Sequence, residues 1–524
     1  MTHRSRLLVC GLSLFLFTSF TLSTTGAQPS TFVTRSGNQL VVDGHPFYFL
    51  GTNAYYLLEE AARGDTTTVR SLFETARALE MTVVRTWGFH DSSDSLNQSV
   101  IQYRPSVYNE HALRGLDYVI ERARRSDVRL IITLVNNWDD YGGMNQYVRW
   151  RAGIQSMDMP QSEKRYSAAD QVRAVTGPMG RRYRFAISDQ FGHDDFYDDE
   201  IIKSWYKSYI ETILNRVNTL SGIAYKDEPA IFGWELANEP RSSDRSTTRI
   251  AYWIREMSLF VKTVSRNQLV GSGEEGFDRS ASGYSIGAYN NQQFLFDGTS
   301  GCSFTANTAI ESVDFAGIHL YSESWGISNS AGNIWIRDHL NIAGTYTKPL
   351  LIGEFGVVSQ KQATYDSWLT TAALDQAAGA LVWQMLEGNR SDREGFGFRC
   401  PEEEQLCAVL QRDALQFQVK SLTGFLPVPS HFSLLQNYPN PFNEQTTISY
   451  DLPFDAHAVL TVFSTTGQFV ATLVDGYQRR GMRKELFGGR GLASGVYMAR
   501  LSVEDPGANA GIVHSGVKKM LLVK

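Results

Sequence analysis

Leu130-Ile131-Ile132-Thr133-Leu134-Val135 is an almost unbroken apolar run that ends on Asn136-Asn137-Trp138. A strand with one wet face alternates apolar and polar residues. A continuous run is buried on both faces, the pattern of a parallel strand covered by helices. Seven more runs share this pattern, namely Phe47 to Gly51, Thr82 to Arg85, Ile231 to Glu235, Leu269 to Gly271, Phe315 to Ile318, Leu350 to Gly353 and Ala380 to Trp383. Helical patterns lie between them, as over Val69 to Leu79, Leu113 to Arg125 and Ile201 to Val217. Eight strand-then-helix units predict an α/β fold, a (β/α)8 TIM barrel. A doubly wound sheet is the alternative, but no Gly-x-Gly-x-x-Gly follows an early strand.

In a barrel the residues just past each strand share one mouth. Here they are Asn53, Arg85, Trp87, Asn136 to Trp138, Asn238, Glu239, Glu274, Glu275, His319, Tyr321, Glu354, Trp383 and Gln384. Carboxylates on separate strands, among amides, Arg, His, Tyr and Trp, suit glycoside hydrolysis. One acid protonates the leaving oxygen, and a second carboxylate attacks the anomeric carbon or activates water. Taken singly, each residue has a duller role: a strand-end Glu in a salt bridge, a structural His319, or Trp87, Trp138 and Trp383 as core. Their convergence on one end of one barrel is what argues for a site.

The chain of 524 residues carries a net charge of −6, with 42% hydrophobic and 20% charged residues. This excludes a disordered chain and argues against nucleic acid as a partner. Arg4 and Arg6 precede an apolar run to about Leu22 and then Ser23-Thr24-Thr25-Gly26-Ala27, the order of a secretory signal over residues 1–27. A membrane anchor is the competing reading, but the stretch is short and rich in Ser and Thr. Of the remaining cysteines, Cys400 and Cys407 are close enough for a local bridge, with Cys302 left over. Prolines 427, 429, 439 and 441 mark a linker over 426–432 after a catalytic module over 28–425. Short alternating runs then predict a small all-β sandwich over 433–524. The signal contributes two positive charges and the tail nine basic residues against seven acidic, which leaves about −10 on the barrel.

Two resemblances sharpen this reading. Ala230-Ile231-Phe232-Gly233-Trp234-Glu235-Leu236-Ala237-Asn238-Glu239-Pro240-Arg241 and Leu351-Ile352-Gly353-Glu354-Phe355-Gly356 resemble the two active-site signatures of glycoside hydrolase family 5. Val135 to Gly143, Val84-Arg85-Thr86-Trp87, Ile318-His319-Leu320-Tyr321 and Leu214 to Pro229 narrow the likeness to endo-β-1,4-mannanases of the plant and fungal type. The resemblance implies Glu239 as general acid/base and Glu354 as nucleophile. It implies Asn238 on the sugar's 2-hydroxyl, Arg85 beside the nucleophile, and His319 and Tyr321 on the reacting sugar. Trp383 would be the platform under that sugar, Trp138 a neighbouring binding wall, Arg241 a leaving-group-side contact and Trp87 a further substrate-binding residue. Arg85 is expected to lower the Glu354 pKa, while Glu239 needs a raised one. The two carboxyls are expected ~5–5.5 Å apart, the retaining spacing.

Ser433 to Asn443, Thr466-Gly467 and Leu492 to Tyr497, through to Lys518, Lys519 and Lys524, resemble the C-terminal sorting domain of type IX secretion substrates. That implies export to the surface or outside, and the outer-membrane secretion machinery as a partner. The alternative is a carbohydrate-binding sandwich, but the tail has no Trp to build a sugar platform. The rival enzyme is a β-1,4-glucanase using the same glutamates; the rival of another class is a non-catalytic surface glycan-binding protein. No His-Glu-x-x-His occurs, so neither metal nor cofactor is expected, and the protein is expected to be a monomer. A polar stretch over 151–196, with Arg165, Arg173, Arg181, Arg182 and Arg184, is longer than the family pattern. It follows the third strand and reads either as a reshaped cleft end or as a solvated loop.

Overall fold

The computed structural model of the protein describes residues 29–153, 174–176, 182–184, 191–423, 429, 431–504 and 513–524. The expected signal over 1–27, most of the Arg-rich stretch and part of the 426–432 linker lie outside the described residues.

The eight strands are β1 (Phe49–Asn53), β2 (Val83–Trp87), β3 (Arg129–Thr133), β4 (Ile231–Glu235), β5 (Leu269–Gly271), β6 (Ala316–Leu320), β7 (Leu350–Phe355) and β8 (Gly379–Val382). They form one sheet in the order β5-β4-β3-β2-β1-β8-β7-β6, parallel throughout. The sheet closes between β5 and β6, where Asp314 N donates to Val270 O at 2.7 Å and His319 N to Glu275 O at 3.1 Å. All eight runs singled out from the sequence are these strands.

The main helices are α1 (Thr66–Ala78), α2 (Glu110–Arg125), α3 (Glu200–Asn215), α4 (Thr248–Val264), α5 (Asn329–Thr345), α6 (Lys361–Leu374) and α7 (Glu404–Thr423). Asp65, Asn109, Asp199 and Ser328 cap α1, α2, α3 and α5 by accepting from free N–H groups of the first turn. Helix α2 buries Leu113, Leu116, Val119, Ile120 and Ala123 on one stripe against the sheet.

Period two along each strand separates core from mouth. In β2 the inward face reads Val83, Arg85, Trp87, and in β1 Phe49, Gly51, Asn53. The lower members join Ile131, Phe232, Leu269, Phe315, Leu351 and Leu381 in a plug at the barrel floor, closed by Val33 and Leu40 of the N-terminal hairpin. The upper members are polar and face the mouth.

The C-terminal part is a sandwich of two antiparallel sheets. One holds β9 (Ser433–Leu434), β10 (Gln445–Leu452) and β13 (Gly481–Gly488); the other holds β11 (Ala456–Ser464), β12 (Phe469–Gln478), β14 (Gly495–Glu504) and β15 (Val513–Leu522). Ile448, Leu460, Val462, Leu501 and Met520 fill its core. Cys400 and Cys407 are disulfide-bonded, and Cys302 is buried and unbridged.

Candidate active site

Arg85 leaves β2 at the centre of the mouth and is 1% exposed. Its guanidinium fork donates in four directions: to Glu235 at 2.6 Å, Glu354 at 2.7 Å, Asn238 at 2.9 Å and Asn53 at 3.1 Å. Only Arg has enough fixed donors for such a hub. Glu354 enters from β7, where the pairing with β6 slips one residue between Ile318 and His319. The slip falls at Gly353, where a Cβ would sit 3.3 Å from His319 Nε2, so a larger residue would push the imidazole away. Tyr321 OH donates to Glu354 Oε2 at 2.5 Å.

Glu239 follows β4 and stands in the left-handed region at φ 50°, a conformation a non-glycine residue adopts at a cost of about 1–3 kcal/mol. Its N–H is tied to Gly273 O at 2.8 Å. Gly273 itself has φ 76° and lies so close to Ala237 O that a Cβ there would overlap it. Both Glu239 oxygens are engaged: Trp138 Nε1 donates to Oε2 at 2.6 Å, and His319 Nδ1 lies 2.8 Å from Oε1. His319 Nδ1 is also 3.5 Å from Glu354 Oε2. One oxygen of each glutamate and the His319 nitrogen lie within 4.8 Å of one another.

Burial raises the Glu354 pKa, and neighbouring Glu239 adds to this, against the pull of His319 and Arg85; the net direction is upward. Arg85 does pull the Glu354 pKa down, as expected, but not far enough to set the net direction. Desolvation outweighs the guanidinium, whose charge is shared with Glu235. Burial disfavours the His319 cation, but Glu354 and the bond to Glu239 outweigh it and hold the imidazole above its usual range.

Of the remaining residues expected at the site, Asn238 and Arg241 join this centre through Arg85 and Trp138, while Trp383 and Trp87 meet at Tyr55. Asn238 donates to Asn136 Oδ1 at 3.1 Å while accepting from Arg85. Arg241 is bidentate on Glu275, at 2.7 Å twice, and is sandwiched between Trp138 and Phe277 at 5.4 and 5.0 Å. Trp383 donates to Glu394 at 3.0 Å and lies parallel to Tyr55 at 5.6 Å. Trp87 packs against Tyr55, Phe89 and Tyr141 and joins Tyr55, Glu59, His90 and Arg390 in lining a polar cavity of about 730 Å³. Sequence reasoning passed over Glu235, Tyr55 and Tyr141. Glu235 had a signal, since a carboxylate inside an otherwise apolar strand must find a buried cation.

A family model described as GH family 5 beta-mannosidase-like matches residues 30–398. The chain belongs to glycoside hydrolase family 5. This family 5 enzyme is 36% identical over 394 residues to the putative mannan endo-1,4-beta-mannosidase 4 of Arabidopsis thaliana, covering 70% of this chain and 87% of the relative. The endo-1,4-beta-mannanase of Rhizomucor miehei superposes with a TM-score of 0.61 at 34% identity, over 74% of this chain and 100% of that one. The endo-beta-1,4-mannanase of Thermotoga petrophila does so with a TM-score of 0.63 at 26% identity, over 91% of this chain and 98% of that one. A second model, the secretion system C-terminal sorting domain, matches residues 436–510. The enzyme is thus a glycoside hydrolase whose tail directs its export by type IX secretion.

Proposed function

We propose that the enzyme is an endo-acting β-1,4-mannanase working with retention of configuration. The observation that carries the mechanism is the closeness of Glu239 and Glu354 around His319. The mannan-cleaving names of its relatives support the substrate. Glu354 attacks the anomeric carbon and forms a glycosyl ester as the glycosidic C–O bond breaks, while Glu239 gives its proton to the departing oxygen. Water then adds to the same carbon, Glu239 takes its proton, and Glu354 leaves as carboxylate. The Glu239–His319 contact suits both halves: a protonated Glu239 donates to Nδ1, and an ionised one accepts from it. Asn238 binds the 2-hydroxyl, Tyr321 and His319 the reacting sugar, Trp383 its apolar face, Trp138 and Trp87 the cleft walls, and Arg241 the leaving side. The enzyme acts as a monomer, with a signal over 1–27, a catalytic domain over 28–425, a linker over 426–432 and a sorting domain over 433–524.

The purified protein should release short manno-oligosaccharides from linear mannan, galactomannan and glucomannan, sized by chromatography. Cleavage of carboxymethyl cellulose alone would overturn the reading.

His319 gives a pH prediction. It is the foremost group lowering the Glu354 pKa. His319→Asn removes that help, so Glu354 ionises only at higher pH and the acidic limb of kcat/KM moves toward neutral. A limb that stays in place, or moves to lower pH, would sink this assignment.

A further inference from the structure

The face of the barrel between α5 and α6 is covered by the sandwich, and the join is ionic, with its tail-side charges buried. Arg483 of β13 donates to Asp375, just after α6, at 2.8 Å. Arg337 of α5 donates to the other Asp375 oxygen at 3.1 Å and to Glu485 of β13 at 2.9 Å. The second Glu485 oxygen accepts from Asn333 at 3.2 Å. The four charges form one alternating chain, Arg483-Asp375-Arg337-Glu485, with two members from each domain. The tail's Arg483 and Glu485 side chains are 1% and 2% exposed, and the barrel's Asp375 and Arg337 are 13% and 17% exposed. The remaining Arg483 donors reach Arg479 O at 3.0 and 2.8 Å, so the guanidinium is well satisfied. Around this core Ser367 donates to Lys484 O at 2.9 Å, Lys484 pairs with Asp366, and Gly481 sits against Leu374.

We infer that this interface, with the ionic latch as its dominant contact, holds the sorting domain on the barrel, so that a chain cut between the two domains stays a two-piece complex. Domain contacts within a chain are by default loose and mobile. A charge chain with its tail-side members buried is different, because every member is compensated in one register only, and sliding or partial opening strands a charge away from both water and partner. The occupant of the α5–α6 face is therefore the chain's own tail, and the tail rides with its enzyme after any processing of the connecting segment.

The test places a site-specific protease sequence between Thr423 and His431 of the full chain and cuts it to completion. The unsubstituted pieces should co-elute in size-exclusion chromatography at micromolar concentration. Arg483→Ala on the tail and Asp375→Asn on the barrel should each weaken the complex by about 100-fold or more and release the tail. Hydrolytic activity of the cut barrel reports that it remains folded, and the Asp375→Asn arm leaves the tail sequence untouched. Separation of the unsubstituted pieces, or retention of the tail by either variant, overturns the inference.

Discussion

Replacing Glu354 with alanine should lower kcat on mannan by at least about 10⁴-fold, roughly 5.5 kcal/mol of barrier, while the substrate still binds. On the proposed mechanism the loss is this large because Glu354 forms a bond in the reaction, whereas the sugar would be gripped by many other groups of the mouth. Azide gives a second readout. In Glu354→Ala a small anion fits the space left by the carboxylate and attacks from that side, and with an activated aryl mannoside it gives a glycosyl azide of inverted configuration. In Glu239→Ala the glycosyl ester still forms from the activated substrate, and azide attacks it from the opposite face, so configuration is retained. NMR of the two products separates the roles. Wild-type-like turnover in Glu354→Ala, or the same azide stereochemistry from both variants, would refute them.

Arg85→Ala should lower stability and catalysis together. Glu235 and Glu354 are both within 2.7 Å of the guanidinium, and neither side chain is more than 3% exposed. Removing the cation strands two carboxylates in a dry site, which costs about 3–5 kcal/mol. The sign with pH follows from the carboxylates. Burial already raises the Glu354 pKa against the pull of His319 and Arg85. Without Arg85 it rises further, so the folded state holds a proton that the unfolded chain has released. The stability deficit therefore grows as pH rises above the unfolded carboxyl range, near 4.5, and shrinks in acid. Arg85→Lys should rescue little, because a point charge cannot donate along four fixed directions. Urea unfolding at pH 4.5 and 8, with kcat measured in parallel, checks this. A lysine variant near wild-type activity, or an alanine deficit under about 1 kcal/mol at pH 8, would show that Arg85 is not the hub.

The barrel was legible because burial on both faces leaves a plain record: runs such as Leu130 to Val135 can be read without tertiary information. The ends of those runs also located Asn53, Arg85, Glu239, His319 and Glu354, since strand ends converge whatever the loops do. Glu235 ends its strand as Asn53 ends β1, yet Asn238 and Glu239 just beyond it drew the reading, and only the closed sheet shows Glu235 bonded to Arg85. In the tail, Thr446 to Tyr450, Ala458 to Phe463 and Gly495 to Leu501 announced strands by alternation. Phe469–Gln478 and Val513–Leu522 carry charges, glycines and exposed apolar residues that blur it. Arg483 and Glu485 look like solvated strand residues until α5 and α6 are placed against them.

The sequence by itself thus determined the barrel, the set of residues at its mouth, the family and the export tail, because these depend on periodicity and on the order of residue types along the chain. Tertiary structure alone decided how charges are shared. It set the division of Arg85 between Glu235 and Glu354, the upward shift of the Glu354 pKa, the position of His319 between two glutamates, and the burial of Arg483 and Glu485 against the barrel. Electrostatic energies depend on distance and on exclusion of water, and neither exists until segments distant in the chain have closed on one another.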